Sequence, residues 1–326
     1  MKTLVLIFLL LSPSCLYGHS VSDYQLYTAI GSSKDNQYSS IVIRKLFYNS
    51  KVHYLTVNPE TLSTHIQAGS TLNVSECPWE TIRRNHKNTP YIEALRDAEL
   101  NAETLQDAGI THFFPSQRGV DLTIDLCPSR RPLDRSLFTE LTSELGKEEK
   151  PVPLAVAITG LWMKEHDLDL QWLLDREKNK ELSIVWINHS YNHRTSKELP
   201  LRENFLLEKG TDIKFEILQT EAEMIEKGIT PSIFFRFPGL VSDDKLFHQV
   251  TAYGLIPVGS DAWLGKNQWP KEGSIILVHA NGNEPIGIHR FVQLMKDEKE
   301  NSVNKKWLLF DLRESIVETE RAKDKD

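Results

Sequence analysis

VDLTIDLCP, Val120–Pro128, is a run of β-formers that ends on an acidic residue and a Cys-Pro turn. The rhythm it starts is strand, then helix, repeated. LDRSLFTELTSELG (133–146) has helical spacing and closes on Gly146; PLAVAIT (153–159) is a strand, followed by the helical DLQWLLDREKN (169–179). ELSIVWI (181–187) is a strand running into NHSYNHR (188–194). The helix DIKFEILQTEAEMIEKG (212–228) leads to the strand SIFFRFP (232–238), then the helix LFHQVTAYG (246–254) and the strands LIPVGSD (255–261) and GSIILVHA (273–280). Strands interleaved with helices of this length predict an α/β fold with a parallel sheet, open or closed into a barrel, whose chemistry gathers at the C-terminal ends of its strands.

Upstream, residues 19–117 read as a mixed α+β segment. SSIVIRKLFY (39–48) and KVHYLTV (51–57), separated by Asn-Ser, predict a hairpin, and YIEALRDAELNAETLQDAGI (91–110) predicts a helix ending at Gly109. His53 and His65 are isolated there and read as ordinary surface or core residues, and Asn73-Val74-Ser75 fits a glycosylation sequon. Residues 118–310 hold the strand–helix repeat, and 311–326 form a charged tail that the sequence leaves frayed.

The N-terminus, MKTLVLIFLLLSPSCLYG, carries one lysine, a short apolar run and then small residues, which predicts a signal peptide over 1–18 and a secreted or periplasmic mature chain. No later segment approaches the ~18 apolar residues of a transmembrane helix. The 326 residues carry a net charge of −7 with 40% hydrophobic and 25% charged residues. That balance gives a globular core, and offers no basic footprint for nucleic acid or an anionic membrane. Past the leader only Cys77 and Cys127 remain, which in an oxidising compartment raises a disulfide between them.

Reading only the strand ends gives Asp125, His189 with His193, Arg236 with Pro238, Asp261 with Trp263, and His279. Five strands thus deliver ionisable groups to one face, the pattern of a site. His189 and His193 are four apart, so a helical turn would place both imidazoles on one metal ion.

The ordered set TIDLCP, HSYNH, FRFPG, SDAW and LVH resembles the five motifs of polysaccharide deacetylases with NodB homology (carbohydrate esterase family four), over roughly residues 118–300. The resemblance implies a distorted (β/α) barrel of about seven strands. It also implies a divalent metal, commonly zinc, and removal of acetyl groups from N-acetylated glycans such as peptidoglycan. It makes Asp125 the general base, His189 and His193 metal ligands, Arg236 the residue that orients the base, with Pro238 beside it, and His279 the general acid. Asp261 and Trp263 would line the groove and support His279, and Leu277 would pack near the acetyl methyl. One position departs: where the family has its third ligand, an aspartate, this chain has Leu126, followed by Cys127. Asp121 is about 13 Å away along a strand at about 3.3 Å per residue, too far to stand in. Either Asp125 joins the histidines on the metal, or Cys127 does, or the site has lost its ion and the protein is a non-catalytic carbohydrate-binding member of the cell envelope, with Trp263 and Trp269 as groove aromatics. A non-glycan C–N hydrolase on the same scaffold is a further reading.

Overall fold

The structure is a computed structural model, and the residues it describes are 20–34, 39–114 and 117–323. The leader over 1–18 lies outside them. The N-terminal part is an antiparallel sheet of β1 (Val21–Ser33), β2 (Ser39–Tyr48), β3 (Lys51–Val57), β4 (Thr64–Ala68) and β5 (Leu72–Glu76), in the order β4-β3-β2-β1-β5. The β2–β3 connection is the hairpin read from Asn-Ser: Asn49 and Ser50 have φ of 49° and 62°, the paired left-handed conformation of a type I′ turn. Helices α1 (Trp79–Asn85) and α2 (Pro90–Glu99) follow.

The second part alternates strand and helix: β6 (Gly119–Leu126), α3 (Arg135–Glu144), β7 (Val152–Ile158), α4 (Gly160–Glu165), α5 (Asp167–Lys178), β8 (Leu182–Asn188), α6 (Ile213–Glu226), β9 (Phe234–Phe235), α7 (Asp244–Ala252), β10 (Ile256–Pro257), β11 (Ala262–Trp263), β12 (Ile275–His279), α8 (Pro285–Asp297), α9 (Lys299–Val303), β13 (Leu308–Leu309) and α10 (Leu312–Lys323). Seven parallel strands in the order β10-β9-β8-β7-β6-β12-β11 curl into a partial barrel, with β13 pairing beside β6. The expected α/β class and strand number are those observed.

Side-chain alternation along the strands divides the core in two. Leu122, Ile124 and Leu126 of β6, Leu154 and Val156 of β7, and Ile184 and Trp186 of β8 face the covering helices, among Phe138, Trp162 and Phe291. Ala155, Ala157, Val185 and Ile187 face inward, in one cluster with Phe235, Phe237, Ile256 and the N-terminal Ile41, Leu55 and Tyr91. The N-terminal segment therefore shares its core with the barrel. Arg44 of β2 reinforces the join: it is fully buried, and its Nε donates to Glu221 of α6 at 2.7 Å and its Nη2 at 3.0 Å.

Three details differ from the sequence reading. The helix predicted to reach Gly109 stops at Glu99. Residues 105–113 instead cross onto the barrel, where Ile110 bridges Val258 and His112 bridges Ser274. Gly109 (φ 95°) permits this close approach, since a Cβ there would lie 2.3 Å from the Pro257 carbonyl oxygen. The strand runs around 232–238 and 255–261 shrink to two residues each as the chain turns into the loops. The charged tail opens as α10, whose Leu312, Ile316 and Val317 are buried against the inner cluster. Its sequence looks exposed because only one stripe of that helix is apolar. No described helix is long and apolar enough to cross a membrane.

Candidate functional site

The strand register assembles the site. Asp125 and His279 are direct partners across β6 and β12, so both side chains emerge on the inner face at the same level. Two residues on from Asp125, Cys127 also turns inward, while Leu126 between them is buried on the helix side. His189 follows β8 on the inner face, and its Nδ1 lies 2.8 Å from the Arg236 carbonyl oxygen. That bond fixes the proton on Nδ1 and leaves the Nε2 lone pair free for the interior. Nε2 sits 3.5 Å from Asp125 and 3.6 Å from the Cys127 sulfur.

His193 reaches the same point by a different turn from the helical one that the four-residue spacing predicts. Ser190 and His193 have φ of 67° and 46°, and the segment is not helical. Glu216 of α6, almost fully buried, holds it: its carboxylate accepts the Tyr191 and Asn192 backbone N–H groups, both at 2.8 Å, and the Asn192 side-chain amide at 2.7 Å. The rings of His189 and His193 are then 4.8 Å apart, edge to face.

Cys127, His189 and His193 offer ligand atoms that all lie within 4.8 Å of one another. Beside them are two charge pairs. Arg236, fully buried, has Nη1 3.7 Å from Asp125, while its Nη2 donates to Thr123 Oγ1 at 2.9 Å. Burial lowers the Arg236 guanidinium pKa below its ordinary value, with Asp125 opposing. Asp107, brought in by the crossing segment, acts on Arg236 as a second carboxylate, and burial raises its own pKa while Arg236 opposes. The other pair is His279 and Glu284: the imidazole Nδ1 is 3.2 Å from Glu284 Oε2, which also accepts the Trp263 indole N–H at 2.7 Å.

The protonation states follow from burial set against neighbours. Burial pushes the Cys127 thiol up, but His193 and His279 more than offset it and bring it down to about 6. Burial pulls His279 down, and Cys127 with Glu284 reverse this and raise it to about 10. Burial lowers His189 below the ordinary imidazole value, with Asp125 opposing. Cys127 and His279 thus shift in opposite directions, each favouring the charged form of the other, while burial favours the neutral form of His189.

These groups line a cavity of about 360 Å³ with Pro128, Asn192, Thr195, Phe205, Gly239, Leu240, Trp263, Asn283 and Glu284. Three residues read as substrate-binding are not part of its lining. Pro238 and Leu277 are buried, Leu277 two residues before His279 on β12 and opposite Thr123. Asp261 points to the rim, where it pairs with His112 at 2.9 Å and accepts the Ile275 N–H at 3.2 Å. The support for His279 that the resemblance assigned to Asp261 comes from Glu284 instead. Trp263 does line the cavity; Lys266 Nζ sits 3.5 Å over its ring, the His279 ring lies 5.6 Å from it, and its indole N–H braces Glu284. Trp269 is half exposed and outside the lining. The disulfide does not form: both cysteines are free, Cys127 in the barrel interior and Cys77 packed beside the N-terminal sheet.

Comparison with protein-family models finds no match. Among solved structures, a carbohydrate esterase family 4 pseudoenzyme from Bacillus anthracis aligns at 15% identity and TM-score 0.46, covering 66% of this chain and 70% of that one. A family 4 carbohydrate esterase from the same organism aligns at 18% identity and TM-score 0.45, covering 69% and 91%. A peptidoglycan deacetylase from Bacillus subtilis aligns at 17% identity and TM-score 0.43, covering 65% and 96%.

Proposed function

We propose that this chain is an exported, metal-dependent hydrolase that removes acetyl groups from N-acetylated glycans. One observation carries the reading: Cys127, His189 and His193 bring three ligand atoms within 4.8 Å of one another in a cavity that Asp125 and His279 also line, with the buried Arg236 behind Asp125. The ligand chemistry fits an ion. His193 Nε2 is buried with no hydrogen-bond partner, His189 Nε2 is free to coordinate because its other nitrogen is engaged, and a thiolate with two imidazoles suits zinc. Cys127, His189 and His193 would hold it, with Asp125 beside them. When bound, a divalent metal supplies Lewis-acid polarisation of a carbonyl.

The chain's own residues divide the remaining work. Asp125, 3.7 Å from Arg236, takes a proton from the attacking water, and Arg236 fixes its orientation. His279, protonated and aligned by Glu284, gives a proton to the amine as the C–N bond breaks, so the products are acetate and a free amino sugar.

Purified protein loaded with zinc, cobalt or nickel is incubated with N-acetylglucosamine oligomers and peptidoglycan, with Cys127→Ser and His189→Ala variants beside it. Acetate release with about one metal per chain, reduced in both variants, supports the reading. No acetate together with no stoichiometric metal sinks it. Leu126 favours a second reading, a non-catalytic glycan-binding protein, because the position that carries an aspartate in the resembled motif is here buried among apolar side chains. Glycan binding without turnover and indifferent to chelator would select that alternative.

A further inference from the structure

The cavity opens toward the loops that follow the strands, and on the side of His279 those loops differ in charge from the rest of the chain. They are the loops after β6, β11 and β12. Across residues 127–133, 264–268 and 280–284 they carry three cations, Arg130, Arg131 and Lys266, and one carboxylate, Glu284, in a chain whose net charge is −7. Glu284 is committed to His279 and to the Trp263 indole. The neighbouring acids are also engaged, Asp134 with the first turn of α3 and Asp261 with His112.

Two of the cations are set in place by the loop that carries Glu284. Arg131 meets it at Gly282, where a Cβ would lie 2.8 Å from the Arg131 Cβ, and its Nη1 donates to the Gly282 carbonyl at 2.5 Å. Two further bonds tie this loop to the one after β6: the Asn281 side chain donates to the Cys127 carbonyl at 2.8 Å, and Ser129 Oγ donates to Asn283 at 3.4 Å. The turn over 264–266 meets the same loop at Glu284, so closely that a Cβ on Gly265 would lie 1.9 Å from the carboxylate. Arg290 pins that turn by donating to the Leu264 and Gly265 carbonyls at 2.6 and 3.3 Å, and Asn267, with a left-handed φ of 64°, ends it. Lys266 Nζ is thereby held 3.5 Å over the Trp263 ring. Both cations adjoin residues that line the cavity, Asn283 for Arg131 and Trp263 for Lys266.

This placement bears on what the sugar carries. His279 gives its proton to the departing nitrogen, so the sugar carbon that bears the acetamide stands at this wall. Substituents on the adjacent ring carbons, and the next sugar along, then lie among these loops. An ammonium already covers one face of Trp263, which makes that face a poor stacking platform for a neutral sugar, whereas an anion placed there meets two cations. A rim of one sign also raises the local concentration of oppositely charged substrate, in a manner that salt screens.

We propose, resting on the deacetylase reading, that the substrate is an anionic glycan, in which the N-acetylated sugar bears a carboxylate or is joined to a sugar that does, and that Lys266 and Arg131 select it over neutral N-acetylglucosamine polymers.

The test uses the zinc-loaded full chain and follows acetate release from N-acetylglucosamine oligomers, from peptide-free glycan strands containing N-acetylmuramic acid, from alternating N-acetylglucosamine–glucuronic acid oligosaccharides, and from carboxyl-reduced forms of the last two. At about 50 mM salt, at least one carboxylated substrate is expected to exceed its own reduced form about five- to tenfold in kcat/KM, the yield of two exposed ion pairs, and to lose most of that advantage at about 500 mM. Which of the two does so tells whether the carboxylate belongs to the amino sugar or to its neighbour. Lys266→Gln combined with Arg131→Gln is expected to bring the ratio to within about twofold of one, and Lys266→Arg combined with Arg131→Lys to keep it. Equal rates on carboxylated and reduced forms by the unmodified protein, or a ratio that survives the double glutamine variant, overturns this inference and leaves the deacetylase reading standing. Acetate from no substrate overturns the deacetylase reading, and this inference with it. The ratio in the unmodified protein decides the matter even where the variants fail to fold.

Discussion

Glu216→Ala tests the claim that α6 builds the histidine turn. The carboxylate accepts three N–H groups, two of them from the backbone of Tyr191 and Asn192, and it is 2% exposed. Hydrogen bonds to a charged acceptor contribute about 1.5–3 kcal/mol each, so the gross loss is roughly 5–9 kcal/mol. Tyr191 and Asn192 are only partly buried, and water replaces part of what they lose. A net destabilisation of about 3 kcal/mol is the expectation, which at roughly 2 °C per kcal/mol lowers Tm by about 6 °C. The more specific consequence concerns the metal. Residues 190–193 hold two left-handed backbones against Glu216, and once released His193 leaves the position that brings it within 4.8 Å of its co-ligands. Zinc affinity, measured by competition with a chromogenic chelator, should fall at least tenfold, while Glu216→Gln, which keeps one acceptor oxygen, loses less. A Tm within 1 °C of the parent together with unchanged zinc affinity refutes the reasoning.

Four further outcomes follow. Glu221→Gln leaves Arg44 buried beside a neutral partner and should cost about 3–5 kcal/mol in urea unfolding, because a stranded buried charge is worse than either the pair or its absence. Glu149 has its carboxyl raised from 4.5 to about 7 by burial and by Glu314. The folded state therefore holds that proton more tightly than the unfolded chain, its contribution is complete below about pH 4.5, and it is lost as pH rises toward 7; Glu149→Gln should flatten that decline in urea midpoints. Glu284→Gln should lower kcat about 10- to 100-fold with little change in KM, as part of the about 10²–10⁴ that a positioned acid supplies. Leu126→Asp should destabilise by several kcal/mol without tightening zinc, as followed by thermal melts and chelator competition, because that side chain lies among helix-facing apolar groups.

The inner ring of the site was legible because a parallel sheet places every strand end on one rim, so Asp125, His189, His193, Arg236 and His279 could be found by asking where each strand stops. What was not legible arrives from other parts of the chain. Glu216 lies on a helix more than twenty residues past the turn it holds, and nothing in its spacing separates it from a solvated glutamate. Glu284 was hidden for the opposite reason: it stands five residues after His279, just past the strand read over 273–280, and only the fold of that loop turns it back onto the imidazole. The helix read over 91–110 overran its end: past Glu99 the chain leaves it, and the backbone groups of Leu240, Pro257 and Gly273 take up Asp107, Ile110 and Phe113 instead.

The leucine beside Asp125 then has a physical reason. A strand offers its interior every second residue, so a chain that keeps β6 regular through 126 and places Asp125 inside must hand position 126 to the helices. Leucine is what that layer accepts, 0% exposed among its neighbours. The next inward position is 127, at the turn, and there the chain has cysteine, whose sulfur together with two imidazoles makes a donor set that suits zinc. In the proposed site, taking the third donor from 127 instead of the resembled motif's 126, and as sulfur instead of oxygen, is therefore one change, and it would keep Asp125 out of the ligand set, 3.7 Å from Arg236.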